Sequence, residues 1–397
     1  MYVQREITME FSKRQRAYNL IAVVGPRQAG KTTFLKEQMK GLDASYVLFD
    51  DPDPRSFFEE DIKKFEKQYL QHYTVSVLDE VQNCREAGRN LKYLADTGRK
   101  LWITSSSEII LGKSVLSYLV GRVSTLRLYP FSLGEFLAAK GQVEHTRKIM
   151  ERSLWEHMLF GGYPKVILTD DLELKKTILR DLYDTMIMKD VARTFSIEDM
   201  RTFETVVKYF SVNIGSLISY EKVARDVTVS FQTLKKYLNA MEKSYIIVLL
   251  TPFFRNRIKE ITKQPKVYFI DTGLRNSVAG AFPPVPDGPL FENYALTELL
   301  KLGFLPKYWR TKAKAEVDFV IEKENELIPI ETKLKAQRRI ERSLRSFIEA
   351  YRPKRAFVVS YAGEEGVLKV GDCIVTFTDL AGLRAHLKTL GRAQTDM

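Results

Sequence analysis

The feature that most constrains this chain is a glycine-rich octapeptide, Gly25–Thr32, which reads GPRQAGKT and fits the pattern G-x-x-x-x-G-K-[ST]. It follows the apolar stretch Leu20–Val24 and precedes the helix-like stretch TTFLKEQM. In a strand–loop–helix setting, the backbone N–H groups of such a loop surround phosphate oxygens, and the positive end of the following helix strengthens the attraction. The octapeptide therefore predicts a parallel α/β domain that binds the phosphates of a nucleotide.

Individual residue types in this loop predict particular contacts. The Lys31 ammonium is expected to reach the β- and γ-phosphates, and the Thr32 hydroxyl is expected to bind Mg²⁺. The chain contains no Asn-Lys-x-Asp sequence that would read guanine, so ATP with Mg²⁺ is the predicted ligand. The predicted nucleotide-binding residues are Gly25, Pro26, Arg27, Gln28, Ala29, Gly30, Lys31, Thr32 and Thr33.

A second apolar stretch, Val75–Leu78, is followed by two acids, Asp79 and Glu80. An Asp at this place suits the Mg²⁺ shell, and a Glu suits polarisation of the attacking water. Near-continuous Val/Ile/Leu strands separated by helices indicate a parallel sheet that is covered on both faces. The predicted strands are Leu20–Val24, Tyr46–Asp50, Thr74–Asp79, Leu101–Ser106 and Thr125–Pro130.

Two further features of this domain each leave two interpretations open. Thr104 to Ser106 would lie beside the acids and orient the water, or they form a Ser-rich turn. Arg122 would supply positive charge to a γ-phosphate in a neighbouring subunit, as an arginine finger does, or it makes an ordinary salt bridge. The first interpretation of Arg122 implies a homo-oligomer.

An ordered set of motifs along the chain resembles the archaeal and bacterial AAA-superfamily ATPases that carry a C-terminal domain of unknown function. The motifs are GPRQAGKTTFL, LDEVQ, ITSSS, GR followed by LYPFSLGEF, GGYP, YFIDTGL and FENYALTELL. In this family Lys31, Thr32, Asp79 and Glu80 match the nucleotide-site positions. The resemblance implies ATP binding and hydrolysis. ITSSS departs from the family, in which a glycine after the threonine is more usual.

Residues 200–280 are predicted to form a winged helix. Two short amphipathic helices, Ile218–Asp226 and Ser230–Lys243, precede a strand at Tyr245–Phe254. The second helix places polar and basic side chains near its N-terminal end, and Leu234, Leu238 and Met241 are expected to face the core. These polar side chains suit contacts with DNA phosphates and bases, although a winged helix also serves as a lid or a protein-docking module. The candidate DNA-binding residues are Gln232, Thr233, Lys235 and Lys236.

After the Pro-rich segment Ala281–Pro289, the chain is expected to form an αβββαβ domain. Its predicted elements are the helix Leu290–Leu302, the strands Lys307–Thr311, Glu316–Ile321 and Leu327–Thr332, the helix Arg338–Tyr351 and the strand Ala356–Ser360. Period-2 alternation places Glu331 and Lys333 on one face of their strand, with Asp318 in the strand before it.

This C-terminal pattern resembles the PD-(D/E)XK nuclease superfamily, in which Glu292, Asp318, Glu331 and Lys333 match the motif positions. The resemblance implies that Glu292, Asp318 and Glu331 bind one Mg²⁺, while Glu331 and Lys333 take part in phosphodiester hydrolysis. The alternative is a nuclease-like domain without activity, whose carboxylates are held in salt bridges to nearby basic residues.

Charge and composition bear on partners and location. The 62 Lys and Arg exceed the 50 Asp and Glu, for a net charge of +12, and residues 301–360 carry 15 basic against 8 acidic residues. This excess suggests a polyanion partner, here DNA, although a solvated surface can carry the same charge. No apolar run approaches the roughly 20 residues of a membrane span, the N-terminus lacks a signal-like apolar core, and only Cys84 and Cys373 are present. A cytoplasmic protein without membrane contact is therefore expected.

Four regions are predicted from these features, and the first and the fourth are expected to be α/β. They are a P-loop ATPase core at 1–135, a helical lid or extension at 136–199, a winged helix-turn-helix at 200–280 and a nuclease-like domain at 281–397.

Overall fold

Five parallel strands form the N-terminal sheet: β1 (Leu20–Val24), β2 (Ala44–Leu48), β3 (Val75–Asp79), β4 (Leu101–Ser105) and β5 (Val123–Arg127). Their order is β2-β3-β4-β1-β5. β1, β3 and β4 are buried along their whole length, because helices cover both faces of the sheet. The predicted parallel α/β sheet is confirmed, and β2 and β5 begin two residues earlier than predicted.

The structure is a computed structural model that describes residues 2–106, 112, 116–141, 146–192, 195, 197–254 and 263–392. Ser107, the last residue of the ITSSS motif, lies outside the described residues.

Alternating residues of β1 enter different apolar cores on the two faces of the N-terminal sheet. Ile21 and Val23 pack with Phe11 and Phe34, whereas Ala22 and Val24 pack in the cluster on the other face. The helices of this region are α1 (Thr8–Ala17), α2 (Lys31–Gln38), α3 (Pro52–Glu60), α4 (Ile62–Phe65) and α5 (Ala87–Asp96), with a π-helical turn at Glu66–Leu70 and 3-10 turns at Val81–Asn83 and Leu116–Tyr118.

A helical region follows the sheet, as predicted. It contains α6 (Leu133–Ala139), α7 (Arg147–Phe160), α8 (Pro164–Ile167), α9 (Leu172–Thr185) and a π-helical segment at Met186–Ala192. A capping box fixes the start of α6, because the Ser132 side chain accepts from the Glu135 N–H while the Glu135 carboxylate accepts from the Ser132 N–H. Such reciprocal caps stabilise a helix end by roughly 1 kcal/mol.

The middle of the chain contains three helices and a two-stranded antiparallel sheet: α10 (Met200–Val212), α11 (Tyr220–Asp226), α12 (Phe231–Lys243), β6 (Ile247–Leu250) and β7 (Lys266–Phe269). The predicted start of α11 at Ile218 is wrong, since the Ile218 N–H donates to the Pro265 carbonyl and Leu217 bridges to Lys266. The residues before α11 therefore extend the β6–β7 hairpin, and the winged-helix assignment stays a prediction.

The C-terminal region is a mixed sheet with helices on both faces. Its elements are α13 (Thr272–Ala279), α14 (Gly288–Lys301), β8 (Lys307–Arg310), β9 (Glu316–Lys323), β10 (Glu326–Ala336), α15 (Arg342–Tyr351), β11 (Arg355–Gly363), β12 (Gly366–Val370), β13 (Cys373–Thr378) and α16 (Leu380–Arg392). The strand order is β12-β13-β11-β10-β9-β8. β10 extends to Ala336, so α15 starts four residues later than the predicted helix at Arg338. The last two strands and α16 were not predicted.

The middle and C-terminal regions share an apolar core. Leu250, Tyr268 and Ile270 from around the β6–β7 hairpin pack in one cluster with residues of α14, β9 and β10. The hairpin is thereby held against α14, β9 and β10, the elements that carry Glu292, Asp318 and Glu331.

Candidate functional site

The Gly25–Thr32 loop joins the end of β1 to the start of α2, as the motif predicts. Gly25 lies so close to the backbone after β5 that a Cβ would approach the Leu128 carbonyl oxygen to 2.1 Å. Gly30 caps α2 in a left-handed conformation with φ 94°, which glycine adopts readily. The backbone path thus requires both glycines, and it places the loop at the positive end of α2, where an anion is favoured.

The Lys31 ammonium already lies within this loop. The residue is 5% exposed, and Nζ donates to the carbonyl oxygens of Gly25 at 2.9 Å and Pro26 at 3.0 Å. A buried ammonium needs such acceptors. Phosphate oxygens entering the loop would offer Lys31 an alternative, charged acceptor.

Three hydroxyl groups meet at the carboxylate of Asp79, which is 1% exposed. Thr32 donates to Oδ2 at 2.7 Å, Tyr46 donates to Oδ2 at 2.6 Å, and Thr104 donates to Oδ1. The strand order explains this meeting, because β4 lies between β1 and β3 and all carboxyl ends point the same way. Sequence reasoning missed Tyr46; its only signal was a polar-tipped aromatic in a strand two residues before the end of β2.

Burial and the hydrogen bond to Asp79 raise the pKa of the Tyr46 phenol above its usual value. Tyr46 therefore stays protonated and remains a donor to Asp79 near neutral pH. The Lys36 ammonium lies 4.2 Å from the centre of the Tyr46 ring, and this cation–π contact also helps to hold the ring in place.

Glu80 lies at a strained turn directly after β3, with φ 60° and ψ 45°. Its N–H donates to the Thr104 hydroxyl at 2.9 Å, while its carboxylate accepts from the Gln82 amide and, at 3.3 Å, from the Ser106 hydroxyl. Thr104 and Ser106 thus contact the two acids, as the first of their two interpretations expected. Gln82 was not singled out from the sequence, although it stands in the LDEVQ motif.

Arg5, which sequence reasoning also missed, braces the nucleotide loop from the N-terminal segment. Its guanidinium donates to the Ala29 carbonyl at 2.8 Å, to the Tyr129 carbonyl at 2.6 Å and to the Glu135 carboxylate at 2.9 Å. Both charged residues are 5% exposed. The loop is thereby tied to the capped start of α6.

Within one chain, Arg122 lies at the end of the strands opposite to the nucleotide loop. It directly precedes β5, whose first residue pairs with Leu20 at the start of β1, whereas the loop follows the end of β1. That separation is about 16 Å along the strand. Arg122 donates to Asp96 at 2.6 Å, and both side chains are more than two-fifths exposed. It can contribute to a nucleotide only in another subunit, so the finger role stays a prediction.

The predicted carboxylates of the C-terminal region lie near one another, and a lysine from β7 lies among them. The Lys266 ammonium contacts Glu292 at 3.0 Å and Glu316 at 2.5 Å. The Tyr268 hydroxyl also donates to Glu292. We call Lys266, Glu292, Glu316 and Asp318 the carboxylate cluster.

The remaining motif residues lie beside this cluster. Asp318 Oδ2 accepts from the Thr332 N–H at 2.8 Å and from its hydroxyl at 2.7 Å. The Lys333 ammonium lies 3.0 Å from both Glu331 and Glu341. Burial and the neighbouring Asp318 raise the pKa of Glu331 to about 8 and that of Glu292 to about 7.

These residues are a poor fit for a divalent cation. Glu331 Oε2 is buried and has no hydrogen-bond partner among the described residues, which would suit an ion. However, Lys266 already neutralises Glu292, and no group of three or more His, Cys, Asp or Glu side chains in the described parts of the chain is arranged to hold a metal. The predicted Mg²⁺ ligands Glu292, Asp318 and Glu331 therefore do not form a metal site in this arrangement, and the salt-bridge alternative describes it better.

An open cavity of about 270 Å³ lies next to Glu331 and Lys333. Lys335 and Arg339 also line it, so basic side chains outnumber the acidic Glu331 and Glu341. This cavity would suit an anion more than a cation.

The candidate DNA-binding residues lie at the start of α12. Ser230 caps this helix by accepting from the Thr233 N–H at 3.0 Å. Gln232, Lys235 and Lys236 are exposed, whereas Leu234, Leu238 and Met241 are buried as predicted. The Lys235 ammonium lies 4.5 Å from the centre of the Phe231 ring. Contact with DNA stays a prediction.

Comparison with known proteins assigns families to the three parts of the chain. Residues 17–137 match the family described as AAA domain, residues 151–284 match a domain of unknown function (DUF8612), and residues 287–380 match another (DUF4143). The first match supports a P-loop ATPase of the AAA type. None of the described helices is both long and apolar enough to span a membrane.

Similar proteins come from bacteria and archaea. An uncharacterized protein of Haemophilus influenzae is 23% identical over 78% of this chain and 81% of its own length. One of Methanocaldococcus jannaschii is 28% identical over 79% of this chain and 74% of its own length. Among solved structures, the Walker-type ATPase of Pyrococcus abyssi covers 70% of this chain and 96% of its own, at 13% identity and a TM-score of 0.48.

Proposed function

We propose that this chain binds and hydrolyses ATP with Mg²⁺ at the Gly25–Thr32 loop, and that DNA is the partner on which it acts. The observation that carries the ATPase is the meeting of the Thr32 and Thr104 hydroxyls at Asp79, directly beside the loop. Hydroxyl and carboxylate oxygens are the hard ligands that Mg²⁺ prefers. The donor set therefore fits Mg²⁺, which Thr32 and Asp79 would hold.

The chain's own residues supply the remaining chemistry. Lys31 pairs with the β- and γ-phosphates after leaving the Gly25 and Pro26 carbonyl oxygens. Glu80 accepts a proton from the attacking water, and Gln82 and Ser106 orient its carboxylate. Mg²⁺ bound at this site would offset the charge of the phosphates.

DNA is proposed from the distribution of charge. Residues 301–360 carry a net charge of +7, from 15 basic and 8 acidic residues. Lys235 and Lys236 project from the exposed start of α12, and Lys333, Lys335 and Arg339 line the C-terminal cavity. Neutralisation of phosphates by such residues supplies most of the non-specific affinity for DNA.

A second candidate is a nucleotide-dependent switch or scaffold whose C-terminal domain binds a partner without cutting it. The ion pairs of Lys266 with Glu292 and Glu316 favour this candidate over a metal-dependent nuclease. An ionic network also joins the N-terminal segment to α16. Arg384 contacts Glu6, next to the loop brace Arg5, and it also contacts Glu298 of α14.

Measurement of ATP turnover with and without DNA tests the main proposal. Stimulation of turnover by DNA, decreasing as salt is raised, is the expected result. Tight nucleotide binding with negligible turnover and no effect of DNA would replace it with the switch. A chain that binds no nucleotide at all would refute both candidates.

Incubation with branched, single-stranded and duplex DNA in the presence of Mn²⁺ tests the C-terminal domain separately. The second candidate predicts no cleavage of any of these substrates. Cleavage that Asp318→Asn abolishes, with DNA binding retained, would instead establish a nuclease of the kind that the motif resemblance implies.

A further inference from the structure

Lys266 belongs to the middle region of the chain, yet its ammonium lies among carboxylates of the C-terminal region. Glu292 comes from α14, and Glu316 and Asp318 come from β9. The Lys266 side chain is only 4% exposed, and its ammonium contacts the carboxylates of both Glu292 and Glu316. A fully enclosed lysine is rare without such partners.

The acids around Lys266 have further partners within the protein. Glu316 also pairs with Arg310 at 3.1 Å, and Glu331 pairs with Lys333 at 3.0 Å. Asp318 accepts two hydrogen bonds from Thr332. Burial alone would lower the pKa of Lys266, but Glu292, Glu316 and Asp318 outweigh burial and raise it, so the lysine stays charged.

Residues on both sides of Lys266 contact the C-terminal region. The Tyr308 hydroxyl of β8 donates to the Gln264 carbonyl at 2.6 Å, and Tyr268 donates to Glu292. After β6, the Phe253 N–H donates to the Tyr308 carbonyl at 2.6 Å. The lysine therefore lies in a hairpin that is fixed to β8, the neighbour of β9, and to α14.

We propose that the Lys266 ammonium takes the place of a divalent cation in the carboxylate cluster. The cluster then joins the β6–β7 hairpin to the C-terminal domain as a buried interdomain ion pair, and it does not bind Mg²⁺ or Mn²⁺ in the folded chain. A divalent cation at the same acids would lie next to a buried ammonium, and like charges at such a distance repel strongly in a low-dielectric site. The inference is independent of the proposed ATPase.

Removal of the lysine tests the proposal by a gain of binding. In the full-length Lys266→Met variant, Glu292 and Asp318 lose their cationic neighbour while Glu316 keeps Arg310, and carboxylate oxygens freed of a counter-ion are ligands for Mn²⁺. Without nucleotide, electron paramagnetic resonance of free Mn²⁺ should show an affinity at least on the order of tenfold higher in the variant than in wild type, with a Mn²⁺-dependent rise in Tm. Addition of Asp318→Asn to the variant should abolish the gain.

Lys301→Met is the matched control. Lys301 is also a buried lysine paired with a glutamate, Glu298, but that glutamate keeps Arg384 as a second partner. This control variant should therefore lose stability without gaining Mn²⁺. ATP turnover of each folded variant, measured in parallel, reports on the nucleotide site separately.

Wild-type protein decides the question even where Lys266→Met does not fold. Wild type should show no Mn²⁺ binding that Asp318→Asn removes. Wild-type Mn²⁺ binding that depends on Asp318, or a folded Lys266→Met variant with no gain of Mn²⁺, would overturn the proposal.

Discussion

The nucleotide site and the carboxylate cluster both bring acidic side chains together with hydrogen-bond donors, but the donors differ in charge. Asp79 is surrounded by the hydroxyls of Thr32, Tyr46 and Thr104, which are neutral donors. In the C-terminal cluster, Glu292 and Glu316 face the Lys266 ammonium. Hydroxyls donate hydrogen bonds to a buried carboxylate without offsetting its charge. An ammonium donates hydrogen bonds and also offsets the charge. The carboxylate of Asp79 therefore keeps its whole charge for the proposed Mg²⁺, whereas a cation of the protein already lies among the acids of the second site.

The chemistry expected of an acidic residue thus depends on whether neutral hydroxyls or a cation donate hydrogen bonds to it. Acidic residues were candidate metal ligands at both places in the sequence, and the salt-bridge alternative stood beside the C-terminal ones. The difference comes from a single lysine contributed by a distant hairpin. Variants of the two sites should therefore differ in what they change: turnover and Mg²⁺ dependence at the nucleotide site, and the pH dependence of stability beside the carboxylate cluster.

Loss of Lys31 or Glu80 should have the largest effect, because the P-loop site is where we propose that chemistry occurs. Lys31→Ala removes the cation that pairs with the β- and γ-phosphates, so turnover should be abolished and ATP binding weakened. Glu80→Gln keeps the shape of the side chain but cannot accept a proton, so ATP should stay bound without turnover. Steady-state hydrolysis and equilibrium ATP binding distinguish the two variants. Undiminished turnover in either variant would mean that the Gly25–Thr32 loop is not the site of hydrolysis, and the comparison of the two sites would fail.

Arg122→Ala tests whether the nucleotide site also draws charge from a neighbouring subunit. If Arg122 acts in trans, the substitution should lower turnover on the order of 10³-fold, and turnover per subunit of wild type should rise with protein concentration. Asp96→Ala is the matched control, since it breaks the same 2.6 Å ion pair and leaves the arginine in place. Equal, mild effects of the two variants at all protein concentrations would mean that Arg122 forms the ion pair with Asp96 and takes no part in hydrolysis.

The pH dependence of stability should report the crowding of acids in the C-terminal domain. The pKa of Glu331 is raised from 4.5 to about 8, so between these pH values the folded chain keeps a proton that the unfolded chain has lost. The free energy of unfolding should therefore fall as the pH rises from about 5 to 8, by at most about 1.4 kcal/mol per pH unit from this group.

Glu331→Gln removes that proton exchange. The variant should match wild type in Tm near pH 5 and exceed it near pH 8.5, as measured by thermal unfolding of the full chain. Glu349→Gln, at an exposed glutamate of α15, serves as the control and should show no such divergence. A Tm difference that does not change with pH would mean that Glu331 is ionised throughout this range.

Tyr46→Phe should have the smallest effect of the four. The substitution removes one of three hydroxyl donors to Asp79 and leaves the ring in place. A hydrogen bond of this kind contributes about 1 kcal/mol, so the Mg²⁺ concentration for half-maximal turnover should rise roughly fivefold with little change in kcat. Tyr93→Phe, which loses a 3.3 Å hydrogen bond to Glu66 away from the site, is the control. A fall in kcat without a shift in Mg²⁺ dependence would assign Tyr46 another role.

Much of the nucleotide site follows from the sequence because it is local. The loop, its two required glycines, Lys31 and Thr32 lie within eight consecutive residues, Gly25–Thr32, and a buried strand before a helix leaves that backbone few alternatives. The acids at the end of β3 were found for the same reason, since a strand interrupted by two charges is visible in the chain itself. The pairing of β4 between β1 and β3 was not visible, and so the contact of Thr104 with Asp79 stayed open.

The sequence alone determined which residue types stand at each strand end, and hence the parallel sheet, the phosphate loop and the group of acids in the C-terminal domain. Tertiary structure decided which partners those acids contact. Lys266 precedes Glu292 by 26 residues and Asp318 by 52, and it reaches both regions only because the β6–β7 hairpin shares the apolar core of the C-terminal sheet. A local pattern carries no information on such a contact, since the burial of Leu250, Tyr268 and Ile270 sets the position of the lysine.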